Sequence, residues 1–123
     1  MLIKELETEV GEYYNETRNA LSNVKDLPVG NLGKRQVLLD NDKTRISYFE
    51  FAPGEHTGWH KHEYHYSALY LTDAKLFHTR IDGTQFLSEH KAQEFKIHPI
   101  GTEHNVRSEA DYVIKLLEIE FKS

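Results

Sequence analysis

From Lys34 onward the chain is written as short apolar or alternating runs separated by turn residues, with nothing between them long enough to be a helical crossover. The eight runs are Gln36 to Leu39, Thr44 to Phe51, Tyr64 to Leu71, Lys75 to Ile81, Thr84 to Leu87, Glu94 to Ile97, Asn105 to Arg107 and Tyr112 to Phe121. Asp40-Asn41-Asp42, Pro53-Gly54, Thr72-Asp73 and Asp82-Gly83 punctuate them, and the last is a two-residue hairpin signal. The fold class is therefore all-β. Strands without crossovers pair antiparallel, and closing them into a small single-domain barrel hides the sheet edges.

Residues 1–33 follow another period. Leu2, Leu6, Val10, Tyr13, Thr17, Leu21 and Val24 recur every three or four residues, which is one stripe of a helix. Glu5, Glu7, Glu9 and Glu12 stand early, at the positive end of the helix dipole. Gly11 interrupts the stripe at a cost of about 1 kcal/mol relative to alanine, and Leu6 to Val10 also alternates as an edge strand would. The stripe has two uses, a lid packed on the barrel or a dimer contact, and a homodimer is expected. Leu27-Pro28-Val29-Gly30 and Asn31-Leu32-Gly33 end it, which divides the chain into a helical extension, 1–33, and a barrel domain, 34–123.

Composition removes several function classes. The chain holds 15 basic and 20 acidic residues, a net charge of −5, and lacks the basic stripe that nucleic acid requires. No apolar run approaches the roughly 18 residues of a membrane helix. With no cysteine there are no disulfides, thiolate metal sites or cysteine nucleophiles. The acidic start, Met-Leu-Ile-Lys-Glu, lacks the features of a secretion signal, so the expected compartment is the cytoplasm.

The chain carries eight histidines, four of them between His56 and His65. In His60-Lys61-His62 the period of two puts both imidazoles on one face of a strand, where they either decorate a surface or hold one metal ion. His104 follows Pro99-Ile100-Gly101-Thr102-Glu103, a turn that delivers the next side chain to a defined place. Tyr64 and Tyr66 share strand parity with the pair and point inward; His65 points outward unless a bulge intervenes. His56 is a loop residue expected in solvent, with a lid over the barrel mouth as its other reading. His98 alternates outward from Ile97, and His78 and His90 lie in hairpins with no partner readable from sequence. Trp59 has the core as its expected place.

These residues resemble the cupins. Gly54, His60 and His62 fall on the spacing of the first cupin motif, and Pro99, Gly101 and His104 on that of the second. The stretch Thr57-Gly58-Trp59-His60-Lys61-His62-Glu63-Tyr64-His65-Tyr66 looks like a group of small single-domain cupins, some of them associated with β-alanine degradation. The likeness spans about residues 36 to 121 and implies a jelly-roll barrel. Four positions depart from it. Tyr66 or Ser67 stands where the motif has its glutamate ligand, Asp73 and Gln93 replace glycines, and Ser108 replaces an asparagine.

The resemblance implies one divalent ion, Fe, Ni, Mn or Zn, held by His60, His62 and His104 with positions left for water or substrate. Three neutral imidazoles add no negative charge, so an anionic substrate is favoured. Tyr66 would donate a hydrogen bond beside the metal or merely fill the barrel, and Tyr64, Phe49 or Phe77 would touch substrate. His65 and Glu103 are further candidates around the ion; Glu103 and Glu63 are the carboxylates nearest the missing ligand, Glu63 with the wrong parity. Two functions follow: a metalloprotein acting on a small carboxylate-bearing metabolite by dioxygenase-like or hydrolytic chemistry, and a non-catalytic barrel that binds or senses a small molecule or metal.

Overall fold

A computed structural model of the chain describes residues 31–122. Except for Asn31, Leu32 and Gly33, the segment expected to be helical and to offer a dimer contact lies outside them.

Nine strands are formed among the described residues: β1 (Lys34–Asp40), β2 (Thr44–Phe51), β3 (His60–Lys61), β4 (His65–Tyr70), β5 (Ala74–Arg80), β6 (Gln85–His90), β7 (Phe95–His98), β8 (Glu103–Ser108) and β9 (Ile114–Phe121). Eight coincide with the runs legible in the sequence. The ninth, β3, is only two residues long and holds His60 against His104 of β8. A five-stranded sheet in the order β1-β2-β9-β4-β7 faces a four-stranded sheet in the order β3-β8-β5-β6, and the neighbouring strands run antiparallel. The all-β jelly-roll barrel is therefore present.

Side-chain parity builds the interior. β2 and β9 pair without a slip from Thr44↔Phe121 to Phe51↔Ile114, so Phe49, Phe51, Ile114 and Leu116 share one face. Ala68 and Tyr70 of β4 join them there, and Leu76 and Val106 come from the opposite sheet. Ile114 is wholly buried, and burying a side chain of this kind contributes about 1.5–3 kcal/mol. Trp59 is 2% exposed and belongs to the packed interior, as its composition implies.

Two turns differ from or sharpen the sequence reading. The hairpin between β5 and β6 carries three residues, Ile81-Asp82-Gly83, rather than two. Gly83 N–H donates to Arg80 O (2.9 Å) with Gly83 at φ +88°, and Arg80 N–H then meets Thr84 O (2.9 Å). That is a turn closed by a left-handed glycine, the three-residue solution for a hairpin. At the other end of the barrel Leu32 bridges His56, and Gly33 lies so close to Phe51 that a Cβ there would fall 2.2 Å from the ring.

Candidate metal centre

Three local devices aim three imidazoles at one point. Gly58, at φ +78°, turns its carbonyl toward His60, whose Nδ1–H donates to it at 2.9 Å. That bond leaves the His60 Nε2 lone pair facing inward. His62 is clamped through its backbone: its N–H donates to Thr102 O (2.9 Å), and Gly101 N–H donates to its carbonyl (2.9 Å). Gly101 sits at φ +100°, which explains why the turn ahead of His104 needs a glycine there. His104 stands directly across the β3–β8 ladder from His60.

The result is a cluster of Nε2 atoms, His60 to His62 at 3.0 Å and His62 to His104 at 3.1 Å. All three residues are buried, and their ligand atoms lie within 4.8 Å of one another. Nitrogens bound about 2.0–2.1 Å from a common ion, at angles near 90–110°, are about 2.9–3.4 Å apart. The spacing of this cluster is that of a shared cation, so the residues fit a divalent metal. Burial opposes the charged form of each ring: the desolvated His60 is pushed down to about 4 and His62 to about 2, while His104 is held well below its ordinary value, chiefly by desolvation. Neutral rings with free lone pairs are what a metal requires.

The rings form the floor of a cavity of about 620 Å³ between the sheets. Tyr66 lines it, lying face to face on His62 with centroids 3.8 Å apart, and burial keeps its phenol protonated. Tyr66 also stacks on His98, at 4.9 Å. The phase of β7 is thus opposite to the one expected: Ile97 is 74% exposed and His98 faces the cavity. His78 and His90, whose partners were not readable from the sequence, line the same cavity, and His78 lies 6.0 Å from His104, ring to ring. His56 is buried too; its Nδ1 accepts the Gly58 N–H at 3.0 Å and so bolts down the loop that carries the His60 acceptor.

Of the other candidates, Phe49 lines the cavity, whereas Tyr64 and Phe77 do not and instead carry the guanidinium groups of Arg45 and Arg107 over their rings. His65 is exposed, accepting the Ile100 N–H at 3.1 Å. Glu103 reaches the cavity rim and pairs with Lys61 at 3.9 Å, and Glu63 is exposed. Neither joins the nitrogen cluster.

The carboxylate that does approach it is Glu118 of β9, which no local motif announced. Its Oε1 lies 4.0 Å from His62 Nδ1 within the cavity wall, and desolvation, with a smaller contribution from Glu120, pushes its carboxyl up to about 8. The signal for it was parity, since Glu118 follows Ile114 and Leu116 on the inward face of β9. Two arginines were also missed. Arg35 donates to Ser47 Oγ (3.2 Å), and Arg80, above the Phe86 ring at 4.8 Å, makes no ion pair among the described residues.

No protein-family model matches the sequence. The β-alanine degradation protein BauB of Pseudomonas aeruginosa is 30% identical over 86 residues, which cover 70% of this chain and 90% of that protein. A cupin domain from Bordetella pertussis Tohama I is 28% identical and superposes with a TM-score of 0.73, over 77% of this chain and 98% of its own. The chain belongs to the cupin superfamily. This cupin also shares its fold, at 19% identity and a TM-score of 0.60, with the polyketide cyclase RemF of Streptomyces resistomycificus, over 83% of this chain and 76% of that one. The likeness to RemF is one of architecture alone. Among the described residues no helix is long and apolar enough to cross a membrane.

Proposed function

We propose that this cupin holds one divalent metal ion through His60, His62 and His104 and acts on a small carboxylate-bearing metabolite in the cavity above them. The observation that carries the reading is the convergence of three buried Nε2 atoms on the floor of a cavity that also presents Arg80. Three protein ligands with room beside them is the pattern of a reactive rather than a structural centre. When bound, such an ion supplies Lewis acidity and lowers the pKa of coordinated water.

The chain's own residues have distinct parts. Gly58 O accepts from His60 Nδ1–H and so leaves the His60 Nε2 free, and the Glu118 carboxyl stands behind His62, 4.0 Å from its Nδ1. Tyr66 holds the His62 ring plane and keeps a phenolic proton at the cavity wall, available to a substrate oxygen. Arg80 offers a planar fork to a carboxylate, and the apolar wall of Phe51, Leu76 and Val106 suits a short carbon chain. The name of the Pseudomonas aeruginosa relative puts β-alanine and its degradation products first in a substrate panel.

Metal analysis of the untagged protein tests the site. About one ion per chain is expected, falling to near zero in His60→Ala and His104→Ala; unchanged content in both variants would remove the three-histidine assignment. Oxygen uptake and product analysis with the iron- and zinc-loaded forms against small acids then test turnover. Tight binding of one acid without any turnover would make the chain a sensing barrel instead.

A further inference from the structure

A second cluster adjoins the first, and three of its members, His78, Ser88 and His90, line the same cavity, with His78 6.0 Å from His104, ring to ring. Ser88 and His90 lie on one face of β6, Glu94 follows in the turn to β7, and His78 comes from the neighbouring strand β5. The Glu94 carboxylate makes a hydrogen bond with His90 Nδ1; His90 Nε2 lies 3.0 Å from Ser88 Oγ; and His78 Nε2 lies 2.7 Å from the same oxygen. Tyr70 stacks on the His90 ring at 4.1 Å and 6°, and Phe86 on His78 at 4.4 Å and 4°, so both imidazole planes are fixed.

The proton inventory gives these contacts a direction. Glu94 is held below the usual carboxylate range, chiefly by its hydrogen bond with His90, so it accepts and His90 Nδ1 carries the proton. In the neutral imidazole His90 Nε2 is then a lone pair, and the donor that reaches it is the Ser88 hydroxyl. With its one proton so committed, Ser88 Oγ can only accept from His78, which fixes His78 as the Nε2–H form. The arrangement is a hydroxyl facing a base, a carboxylate orienting that base, and an N–H directed at the oxygen.

We propose that Ser88, His90, Glu94 and His78 form a second reactive centre, independent of metal, that hydrolyses small carboxylic esters entering the cavity. Ser88 Oγ bonds to the ester carbonyl carbon as its proton passes to His90 Nε2, and the carbonyl π pair moves onto oxygen, to which His78 Nε2–H transfers its hydrogen bond from Oγ. Collapse of that oxyanion breaks the bond to the alcohol, which departs with the proton from His90. Water repeats the sequence on the acyl-serine, with His90 again taking and returning one proton, and frees the acid and Ser88. The net change is ester plus water to acid plus alcohol. Ala68, Leu76 and Leu116 on the cavity wall favour a short aliphatic acyl group.

The test uses the full chain after chelator treatment, with a fluorophosphonate as probe and peptide mapping as readout. One adduct on Ser88 is expected, absent in Ser88→Ala and formed at least tenfold more slowly in His90→Gln and Glu94→Gln, with a matching loss of the p-nitrophenyl acetate burst. No adduct on Ser88 in the unaltered protein would overturn the proposal, whatever the variants do. So would labelling of another residue, or an undiminished rate in a His90→Gln protein whose circular dichroism is native. Metal content should be the same in Ser88→Ala as in the parent, so failure here leaves the three-histidine reading standing.

Discussion

Glu118 Oε1 lies 4.0 Å from Nδ1 of His62, on the side of the ring away from the other two imidazoles. Tyr66 or Ser67 stands where a glutamate was expected on the strand after His62, and a carboxyl from β9 reaches the site from behind a ligand instead. The distance is beyond a direct hydrogen bond, so the contact acts electrostatically and becomes strong once a cation on the three imidazoles draws the proton off the carboxyl.

Glu118→Gln should therefore weaken metal binding without abolishing it. Partners of this kind are worth about 10–100-fold in affinity. Competition against a chromophoric chelator measures the change, and a variant that binds as tightly as the parent would deny Glu118 any part in the site.

The strands were legible because most of them alternate over several residues between strong turn signals. β3 was not, because two residues carry no period and its identity as a strand comes only from pairing with β8, more than forty positions away. His60, His62 and His104 stood out through local spacing. His78, Ser88, His90 and Glu94 did not, since their contacts run across a hairpin and around its turn. In β7 His98 was read as alternating outward from Ile97, yet His98 gains a stacking surface on Tyr66 and leaves Ile97 outside. Glu118 stayed hidden for a related reason: Leu116 and Leu117 are both apolar, so the inward phase of β9 was ambiguous until β2 and β4 paired with it.

Gly33 links the start of the barrel to its core. A methyl group there would meet the Phe51 ring at 2.2 and 2.3 Å, and the Glu50 carbonyl at 3.1 Å, so the strand or the ring must shift. Gly33→Ala should cost about 1–3 kcal/mol. The urea midpoint reports it, and a variant as stable as the parent would show that the close approach relaxes freely.

In the proposed function Arg80 is the cation that meets a substrate carboxylate; it lines the cavity and stands over Phe86 without an ion-pair partner among the described residues. A charge-assisted hydrogen bond is worth about 1.5–3 kcal/mol, so Arg80→Gln should weaken carboxylate binding by about 10–100-fold. Its metal content should be unchanged. Calorimetric titration with β-alanine and related acids makes the comparison; equal affinities would move the recognition role elsewhere in the cavity.

Acid and alkaline limbs of stability should have separable origins in the metal-free protein. Desolvation lowers His60 to about 4, His62 to about 2 and His78 to about 4 in the fold, against about 6.5 in the unfolded chain. Above 6.5 these rings are neutral in both states. As pH falls below it, the unfolded chain takes up protons that the fold refuses, and each ring removes up to about 1.4 kcal/mol per pH unit. Glu118 runs the other way: raised to about 8 by burial, it keeps its proton in the fold while the unfolded chain loses one above about 4.5. Its contribution is full below 4.5 and is lost as pH climbs toward 8, and Glu120, also raised by burial, adds in the same sense. Between 4.5 and 6.5 these rings, joined by His98 and His104 which burial also lowers, outweigh the carboxyls; between 6.5 and 8 the carboxyls act without them. Stability should peak near pH 6.5 and fall by about 2 kcal/mol on reaching pH 8. Urea midpoints at pH 5, 6.5 and 8 measure both limbs, and Glu118→Gln should flatten the alkaline one while sparing the acid one. A parent protein equally stable at pH 6.5 and 8 would mean that Glu118 is solvated in the folded chain.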